Sequence, residues 1–299
     1  MSSRLAERQA LGWRVNERVP NTEYFMNKDG LLIYVRSWPV ERPKAVAVIA
    51  HGIADHSGRY HWVASFLNQH GIFVVGFDHQ GHGRSESAGE RMYVEDFEDL
   101  AEDLKVVLRL ARVEGVKTFV IGHSLGGLVS VSLMAHADAS TVVDGYVLAG
   151  AALGFQASFL LMTVGPLATL FGRSRPNMVL TKVPLRKFHF FKNERCLNAY
   201  MHDPLTQWRS IRARLVGEIL KAISTVSRII SNNRLPVLIV HGTDDKTIPL
   251  SVAQETADVL RRSCEVETHY VPGGYHYILD DDDDTSALER VVSWIHQHA

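Results

Sequence analysis

Residues 118–127 read TFVIGHSLGG, and this stretch decides the fold. The apolar run at its start is typical of a buried strand, and the segment 128–134 that follows is compatible with a helix. Between them lies a G-x-S-x-G pentapeptide centred on Ser124, which in a strand-turn-helix context is typical of a nucleophile elbow. Side chains in place of Gly122 and Gly126 would collide across so sharp a turn. The stretch therefore predicts a serine that a strand delivers to the start of a helix.

Strands and helices alternate on the N-terminal side of this elbow. The apolar runs 45–50 and 72–78 are separated by one helix, and each is typical of a strand that is buried on both faces. Strand-helix-strand units in series form a parallel sheet. A turn signal at 27–30 lies between two shorter strand-like runs, so an antiparallel hairpin is predicted at 24–38.

The alternation stops for about eighty residues on the C-terminal side and then resumes. The predicted elements after the interruption are two strands and two helices, at 235–242, 266–271, 251–262 and 285–298. The interruption contains a predicted helix at 211–230. We therefore predict an α/β fold with a core of residues 1–153 and 232–299 and a helical cap inserted at 154–231.

Composition restricts the class of protein. The chain has 299 residues, 46% of them hydrophobic, and a formal net charge of −1, so a large core is possible and no nucleic-acid partner is expected. Residues 1–9 are polar and lack the apolar region of a secretory signal. Cys196 and Cys264 are too few for a disulfide framework. Polar residues and a proline interrupt the apolar stretch 155–172, so it is not predicted to cross a membrane. We expect a cytoplasmic protein.

A catalytic serine needs a general base and a carboxylate that orients the base. In chains with such an elbow, the order is serine, acid, histidine. His276 follows the last predicted strand, and Asp244 and Asp245 follow the strand before it. Active sites of open α/β sheets collect just beyond strand ends of this kind. The spacing predicts His276 as the base but does not choose between the two aspartates.

Two backbone N–H groups are predicted to stabilise the oxyanion. One belongs to Leu125, at the start of the helix after the elbow, and the other to Ile53, in the loop after the strand 45–50. The histidines at 51, 79, 82 and 123 are as compatible with packing as with chemistry. His79 and His82 have no thiol or carboxylate cluster nearby beyond Asp78, so no metal site is predicted.

Six blocks occur in order along the chain: HGIADHSGRY at 51–60, FDHQGHGRS at 77–85, GHSLGG at 122–127, DPL at 203–205, HGTDDK at 241–246 and GYH at 274–276. Together they resemble the monoacylglycerol lipase and lysophospholipase branch of the α/β-hydrolase superfamily. The resemblance runs from about residue 21 to the C-terminus. It implies an eight-stranded, mostly parallel sheet with helices on both faces, a helical cap and no cofactor. It also implies cleavage of an acyl ester of glycerol or of a glycerophospholipid.

The resemblance extends to individual residues. The family places its carboxylate immediately before a basic residue, which matches Asp245 before Lys246 and completes a triad with Ser124 and His276. The residues that the resemblance implies for holding the glycerol end of the substrate are Asp55, Arg59, His123 and Tyr200. An aspartate stands at position 55 where the family usually has the longer glutamate.

The first half of the cap, residues 155–177, matches the family only in being apolar. An apolar groove suits an acyl chain, because each buried CH₂ contributes about 0.8 kcal/mol. The candidate groove residues are Phe155, Phe159, Leu160, Met162, Leu167 and Phe171. The same surface predicts peripheral membrane contact. The alternative interpretation is that these side chains pack the cap onto the sheet.

The leading hypothesis is a serine hydrolase of monoacylglycerols or lysophospholipids that forms an acyl-enzyme on Ser124. The alternative is an acyl-thioesterase or acyltransferase with the same triad, since Asp281 stands five residues after His276, as in some acyltransferases. A lipid-binding protein without catalysis would require the loss of a triad residue or an oxyanion glycine, and none is lost. Dehalogenases and epoxide hydrolases carry aspartate at the elbow.

Overall fold

The computed structural model describes residues 14–15, 21–154, 172, 174–181, 190–208, 211–280 and 284–299. The strands, in chain order, are β1 (Arg14–Val15), β2 (Thr22–Met26), β3 (Leu32–Trp38), β4 (Ala45–Ala50), β5 (Ile72–Phe77), β6 (Thr118–His123), β7 (Gly145–Ala149), β8 (Val179–Thr181), β9 (Ile211–Arg212), β10 (Val237–Gly242) and β11 (Val266–Val271). The helices of these residues are α1 (His61–Gln69), α2 (Phe97–Ala111), α3 (Leu125–Met134), α4 (Glu194–His202), α5 (Ala213–Ile223), α6 (Val226–Ile230), α7 (Leu250–Leu260) and α8 (Ser286–His298). Short 3₁₀ turns occur at Ser57–Tyr60 and Ala139–Thr141.

One large sheet organises the molecule. Its strand order is β1-β2-β3-β5-β4-β6-β7-β10-β11. The pairs β1–β2, β2–β3 and β3–β5 are antiparallel, and every other neighbouring pair is parallel. The predicted eight-stranded, mostly parallel sheet is confirmed, and the two-residue strand β1 extends its edge.

The central strands are apolar because both faces of the sheet are covered. Every residue of β4, β6, β7 and β10 is buried. Side chains of α2, α3 and α7 pack on one face of the sheet, and those of α1 and α8 pack on the other. The continuous apolar runs of the sequence arise from this two-sided burial.

The cap segment departs in part from its prediction. The helix predicted at 211–230 is divided into β9, α5 and α6. Its interruption lies at Ser224 and Thr225, whose hydroxyls donate to the carbonyls of Lys221 and Ala222 at 2.6 and 2.8 Å. Such local side-chain bonds compete with helix continuation. In addition, β8 pairs with β9 in a small antiparallel sheet that the sequence did not predict.

The insertion separates two neighbouring strands of the large sheet. β7 ends before residue 154 and β10 begins after residue 231, yet the two strands pair in parallel. The boundaries at 154 and 231 stay a prediction. The six candidate groove residues lie outside the described residues, as does Asp281. None of the helices above combines the length and the apolar character that a membrane span requires.

Candidate active site

Ser124 occupies a strained turn between β6 and α3. Its φ of 50° and ψ of −111° lie where side chains are rarely found, and its N–H donates to the carbonyl of Ala149 at 3.0 Å. A Cβ at Gly126 would lie 2.0 Å from the carbonyl oxygen of Ala50, and one at Gly122 would lie 2.6 Å from the carbonyl oxygen of Gly126. The turn therefore has room only for glycine two residues before and two residues after the serine.

His276 and Asp245 form a buried pair beyond the ends of β11 and β10. The N–H at His276 Nδ1 donates to Asp245 Oδ2 at 2.7 Å. The other carboxylate oxygen accepts the backbone N–H groups of Thr247 and Ile248 at 2.7 and 2.9 Å. Burial acts to raise the pKa of Asp245, but His276 and the other donors hold it below its usual value. A neutral His276 ring in this orientation has its lone pair at Nε2, the position of a general base.

Ser124 and His276 both lie against the end of β7. Ser124 is bonded there to Ala149, and a Cβ at the next residue, Gly150, would lie 3.4 Å from His276 Nδ1. Between these two described residues, no direct hydrogen bond joins the serine hydroxyl to the imidazole. Catalytic hydrogen bonds are often long before substrate binds. The structure thus brings His276 and Asp245 together, and the contact between His276 and Ser124 that would complete the predicted triad stays a prediction.

The two predicted oxyanion donors lie beside Ser124. A Cβ at Gly52 would lie 3.4 Å from Ser124 Cβ, so the loop that carries Ile53 contacts the serine. Leu125 is the first residue of α3, where the helix dipole favours negative charge. Within the described part of the chain, neither the Ile53 nor the Leu125 backbone N–H donates a hydrogen bond. Both N–H groups are therefore free to act as the predicted donors.

Asp55 is fully buried and its carboxylate is surrounded by protein donors. Its Oδ1 accepts the N–H of His56 at 2.9 Å and lies 3.2 Å from Arg59 Nε. Its Oδ2 lies 3.2 Å from the hydroxyls of both Tyr60 and Tyr277. Burial raises the pKa of Asp55, although the nearby Arg59 charge opposes that rise. The carboxylate therefore links two loops of the protein.

His123 and Tyr200 are also bonded to protein groups. His123 Nε2 lies 3.2 Å from the carbonyl oxygen of His276, and Nδ1 lies 2.9 Å from the Tyr60 hydroxyl. Burial, and then the neighbouring His276, lower the pKa of His123 to about 3. The Tyr200 hydroxyl donates to the carbonyl oxygen of Ala54 at 3.2 Å. The contacts with substrate predicted for Asp55, Arg59, His123 and Tyr200 stay predictions.

Sequence reasoning missed several neighbours of these residues. Arg59 Nη2 lies 3.3 Å from Asp280, and its guanidinium lies 5.3 Å from the centre of the Phe191 ring. Tyr277 stacks on Phe191 with ring centres 4.0 Å apart. Tyr277 directly follows His276, which could have drawn attention to it. Phe191 has no such signal, because only folding brings the cap against this loop.

A cluster of neutral histidines supports the loop before Ile53. The ring centre of His51 lies 4.3 Å from that of His79 and 5.4 Å from that of His82. All three side chains are fully buried. Burial lowers the pKa of His79 to about 3 and that of His82 to about 4, and it lowers the pKa of His51 well below its ordinary value. The three rings are therefore uncharged at neutral pH.

This cluster predicts acid sensitivity. The unfolded chain takes up protons on these histidines near pH 6.5, whereas the folded chain does not, so stability present above pH 6.5 is lost as pH falls towards 4. Each histidine contributes a slope of up to about 1.4 kcal/mol per pH unit. Urea unfolding at several pH values measures the slope. His82→Gln should reduce it, and the exposed His202→Gln serves as the matched control. An unchanged slope in His82→Gln would contradict the prediction.

Comparison with known proteins identifies the family of this chain. A family model described as "Serine aminopeptidase, S33" matches residues 41–283. A monoglyceride lipase homolog of Monkeypox virus is 30% identical over 280 residues, covering 92% of this chain and 98% of the relative. The monoacylglycerol lipase of Mycolicibacterium smegmatis is 27% identical over 277 residues, covering 92% and 96%.

A solved structure shows the same fold. The structure of a soluble variant of monoglyceride lipase from Saccharomyces cerevisiae superposes with a TM-score of 0.81 at 21% identity, covering 96% of this chain and 97% of the other. The predicted α/β-hydrolase fold and the resemblance to monoacylglycerol lipases are confirmed. Since the family model spans most of the sequence, this chain belongs to the serine aminopeptidase S33 family of α/β-hydrolases.

Proposed function

We propose that this protein is a carboxylic ester hydrolase that cleaves monoacylglycerols through an acyl-enzyme on Ser124. One observation carries the proposal: the 2.7 Å hydrogen bond from His276 Nδ1 to Asp245, at the same end of the sheet as the strained serine. The relatives named above as lipases of monoglycerides or monoacylglycerols support the choice of substrate.

The chemistry follows from the positions of these groups. Ser124 Oγ attacks the ester carbonyl and its proton passes to His276 Nε2, while the N–H groups of Ile53 and Leu125 bind the oxyanion. The intermediate collapses to an acyl-serine, and the glycerol oxygen leaves with the proton from His276. Water then attacks the acyl-serine by the same steps and releases the fatty acid. Asp245 keeps the imidazole in the required tautomer throughout.

The charges near the loop 54–60 support a neutral head group. The Arg59 charge lies 3.2 Å from Asp55 and 3.3 Å from Asp280. An arginine already balanced by two carboxylates is a poor receptor for a phosphate, because binding would require it to give up existing pairs. Glycerol hydroxyls carry no charge. We therefore favour monoacylglycerols over lysophospholipids.

A partly apolar cavity supports a substrate with a hydrocarbon chain, although Ser224, Ser227, Glu255 and Thr256 also line it. The cavity has a volume of about 350 Å³ and lies between α5, α6 and α7. Its apolar lining residues in the described part of the chain are Leu153, Ile223, Val226, Ile230, Val252 and Val259. Ala152, next to Leu153, donates its N–H to the Ser124 carbonyl at 3.1 Å. Leu153 therefore links the cavity to the segment that is bonded to the backbone of Ser124, and an acyl chain in this cavity is part of the proposal.

Thioester hydrolysis and acyl transfer are not favoured. The relatives named above are lipases or lipase homologs, and the acyltransferase-like spacing depends on Asp281, outside the described residues. Peripheral membrane contact through the cap remains part of the proposal, because a hydrolase of monoacylglycerols must meet substrates that reside in lipid surfaces.

A substrate panel tests the proposal. Fatty-acid release by the full chain is measured with monooleoylglycerol, lysophosphatidylcholine, lysophosphatidic acid and oleoyl-CoA. We expect kcat/KM for monooleoylglycerol to exceed that for the phosphate-bearing esters by about tenfold or more, the equivalent of roughly 1.4 kcal/mol of differential binding. Excess glycerol in the assay separates transfer from hydrolysis. A preference for oleoyl-CoA or a lysophospholipid would contradict the proposal.

A further inference from the structure

The turn that carries Ile53 is fixed at its start by the core of the protein. The carbonyl oxygen of His51 lies 3.1 Å from His79 Nε2, and the backbone N–H of His79 donates to His51 Nε2 at 2.9 Å. His51 Nδ1 also lies 2.7 Å from the carbonyl oxygen of Gly52. The loop after β5 thus holds the residue from which the turn begins.

The end of the same turn is held by the cap. The carbonyl oxygen of Ala54 accepts the Tyr200 hydroxyl and the backbone N–H of Gln207, each at 3.2 Å. Both donors belong to the segment 190–208, far along the chain from the turn. Two hydrogen bonds from the cap therefore converge on one carbonyl group of the core.

Ala54 has a backbone conformation that alanine rarely adopts. Its φ is 58°, in the left-handed region that favours glycine, and its side chain is 2% exposed. An alanine released from its contacts would return to a negative φ. That change would rotate its carbonyl and the adjoining peptide groups, and Ile53 is the preceding residue. The orientation of the Ile53 N–H thus depends on whatever holds Ala54.

The Tyr200 ring is held independently of its hydroxyl. Its centre lies 5.6 Å from that of Phe191, 5.9 Å from that of Tyr277 and 5.0 Å from the Arg59 guanidinium. The residue is 2% exposed, and its hydroxyl hydrogen is already donated to Ala54. Removal of the hydroxyl would leave the ring in place and release the Ala54 carbonyl from one of its two donors.

We infer that Tyr200 is a positioning residue: its hydroxyl holds the strained turn in the conformation that directs the Ile53 N–H at the oxyanion. The inference rests on the proposed function, since it takes Ile53 as an oxyanion donor. It gives the cap a role in the chemical step in addition to covering the site. Tyr200 acts through Ala54 and not through contact with the glycerol of the substrate.

The test compares Tyr200→Phe with wild type on two esters, monooleoylglycerol and p-nitrophenyl butyrate, which lacks glycerol. Complete loss of one oxyanion donor costs on the order of 10²–10³ in kcat, so partial misalignment should lower kcat about tenfold. The loss should be equal for both esters, with KM changed by less than about twofold, because ground-state contacts are unchanged. Tyr146→Phe is the matched control. That buried hydroxyl of β7 has no hydrogen-bond partner among the described residues, and its removal should leave kcat unchanged.

A second variant tests the role of strain. Glycine adopts positive φ freely, so Ala54→Gly removes the tendency of the turn to relax. In the Ala54→Gly background, Tyr200→Phe should lower kcat by only about threefold or less, instead of about tenfold. The effects of the two substitutions on kcat would then be non-additive. An equal penalty in both backgrounds would overturn the inference.

Three further outcomes are decisive. A penalty confined to monooleoylglycerol and expressed in KM would show that Tyr200 binds the head group, which would overturn the inference. An active wild type with an unchanged kcat in Tyr200→Phe would overturn the inference alone. A wild type inactive on both esters would instead overturn the proposed function.

Discussion

Ser124→Ala is expected to lower kcat for ester hydrolysis by a factor on the order of 10⁶ and to abolish labelling by a fluorophosphonate probe. Without Oγ no acyl-enzyme or phosphonyl-enzyme can form, whatever the remaining groups do. Alanine and serine meet the same backbone strain at φ 50°, so the elbow should persist. The thermal unfolding midpoint should therefore stay close to that of wild type.

The matched control is Ser132→Ala, a buried serine of the helix that begins at the elbow. This variant should retain both turnover and labelling. Undiminished labelling of Ser124→Ala would place the nucleophile elsewhere and remove the basis of the mechanism. The labelling stoichiometry, measured by intact-protein mass spectrometry, distinguishes these outcomes.

Asp245→Asn is expected to lower kcat by about 10⁴. The oxygen of the asparagine would remain with the N–H groups of Thr247 and Ile248, which now bond to one carboxylate oxygen at 2.7 and 2.9 Å. Its NH₂ group would then face His276 Nδ1, which must become an acceptor. The ring hydrogen would move to Nε2, and the base would lose the lone pair that takes the serine proton.

The matched control for this variant is Asp244→Asn, the adjacent but exposed aspartate. Its kcat should stay within about twofold of wild type. The comparison also decides between the two aspartates that spacing along the chain left open. A large loss in Asp244→Asn with near-normal activity in Asp245→Asn would reverse the assignment, and a pH profile of kcat would show which variant has lost the base.

The secondary structure followed largely from local patterns. Apolar runs such as 45–50 and 237–242 are strands because burial on two faces requires apolar side chains at successive positions. The prediction of one continuous helix at 211–230 was wrong, because Ser224 and Thr225 form hydrogen bonds with carbonyls of the preceding turn. Periodicity does not report such bonds, since they depend on side-chain rotamers and not on hydropathy.

The sequence by itself determined the order of most strands and helices of the core along the chain, the glycines around Ser124 and the positions of Asp245 and His276 after their strands. These features are local, because each depends on residues a few positions apart or on a short sequence motif shared with the family. The tertiary structure alone decided what surrounds them. Tyr277 contacts Asp55 across a sequence separation of 222 residues. Asp280 contacts Arg59 across 221 residues.

The same distinction explains Ala54. Nothing in its neighbours along the chain indicates a left-handed alanine, since a short-range turn signal would place glycine there. The cap brings Tyr200 to its carbonyl across 146 positions. Hydrogen bonds between distant segments can hold a conformation that local preference disfavours. Residue patterns therefore predicted the candidate catalytic groups, whereas the contact of Tyr200 with Ala54 depends on the packing of the cap on the core.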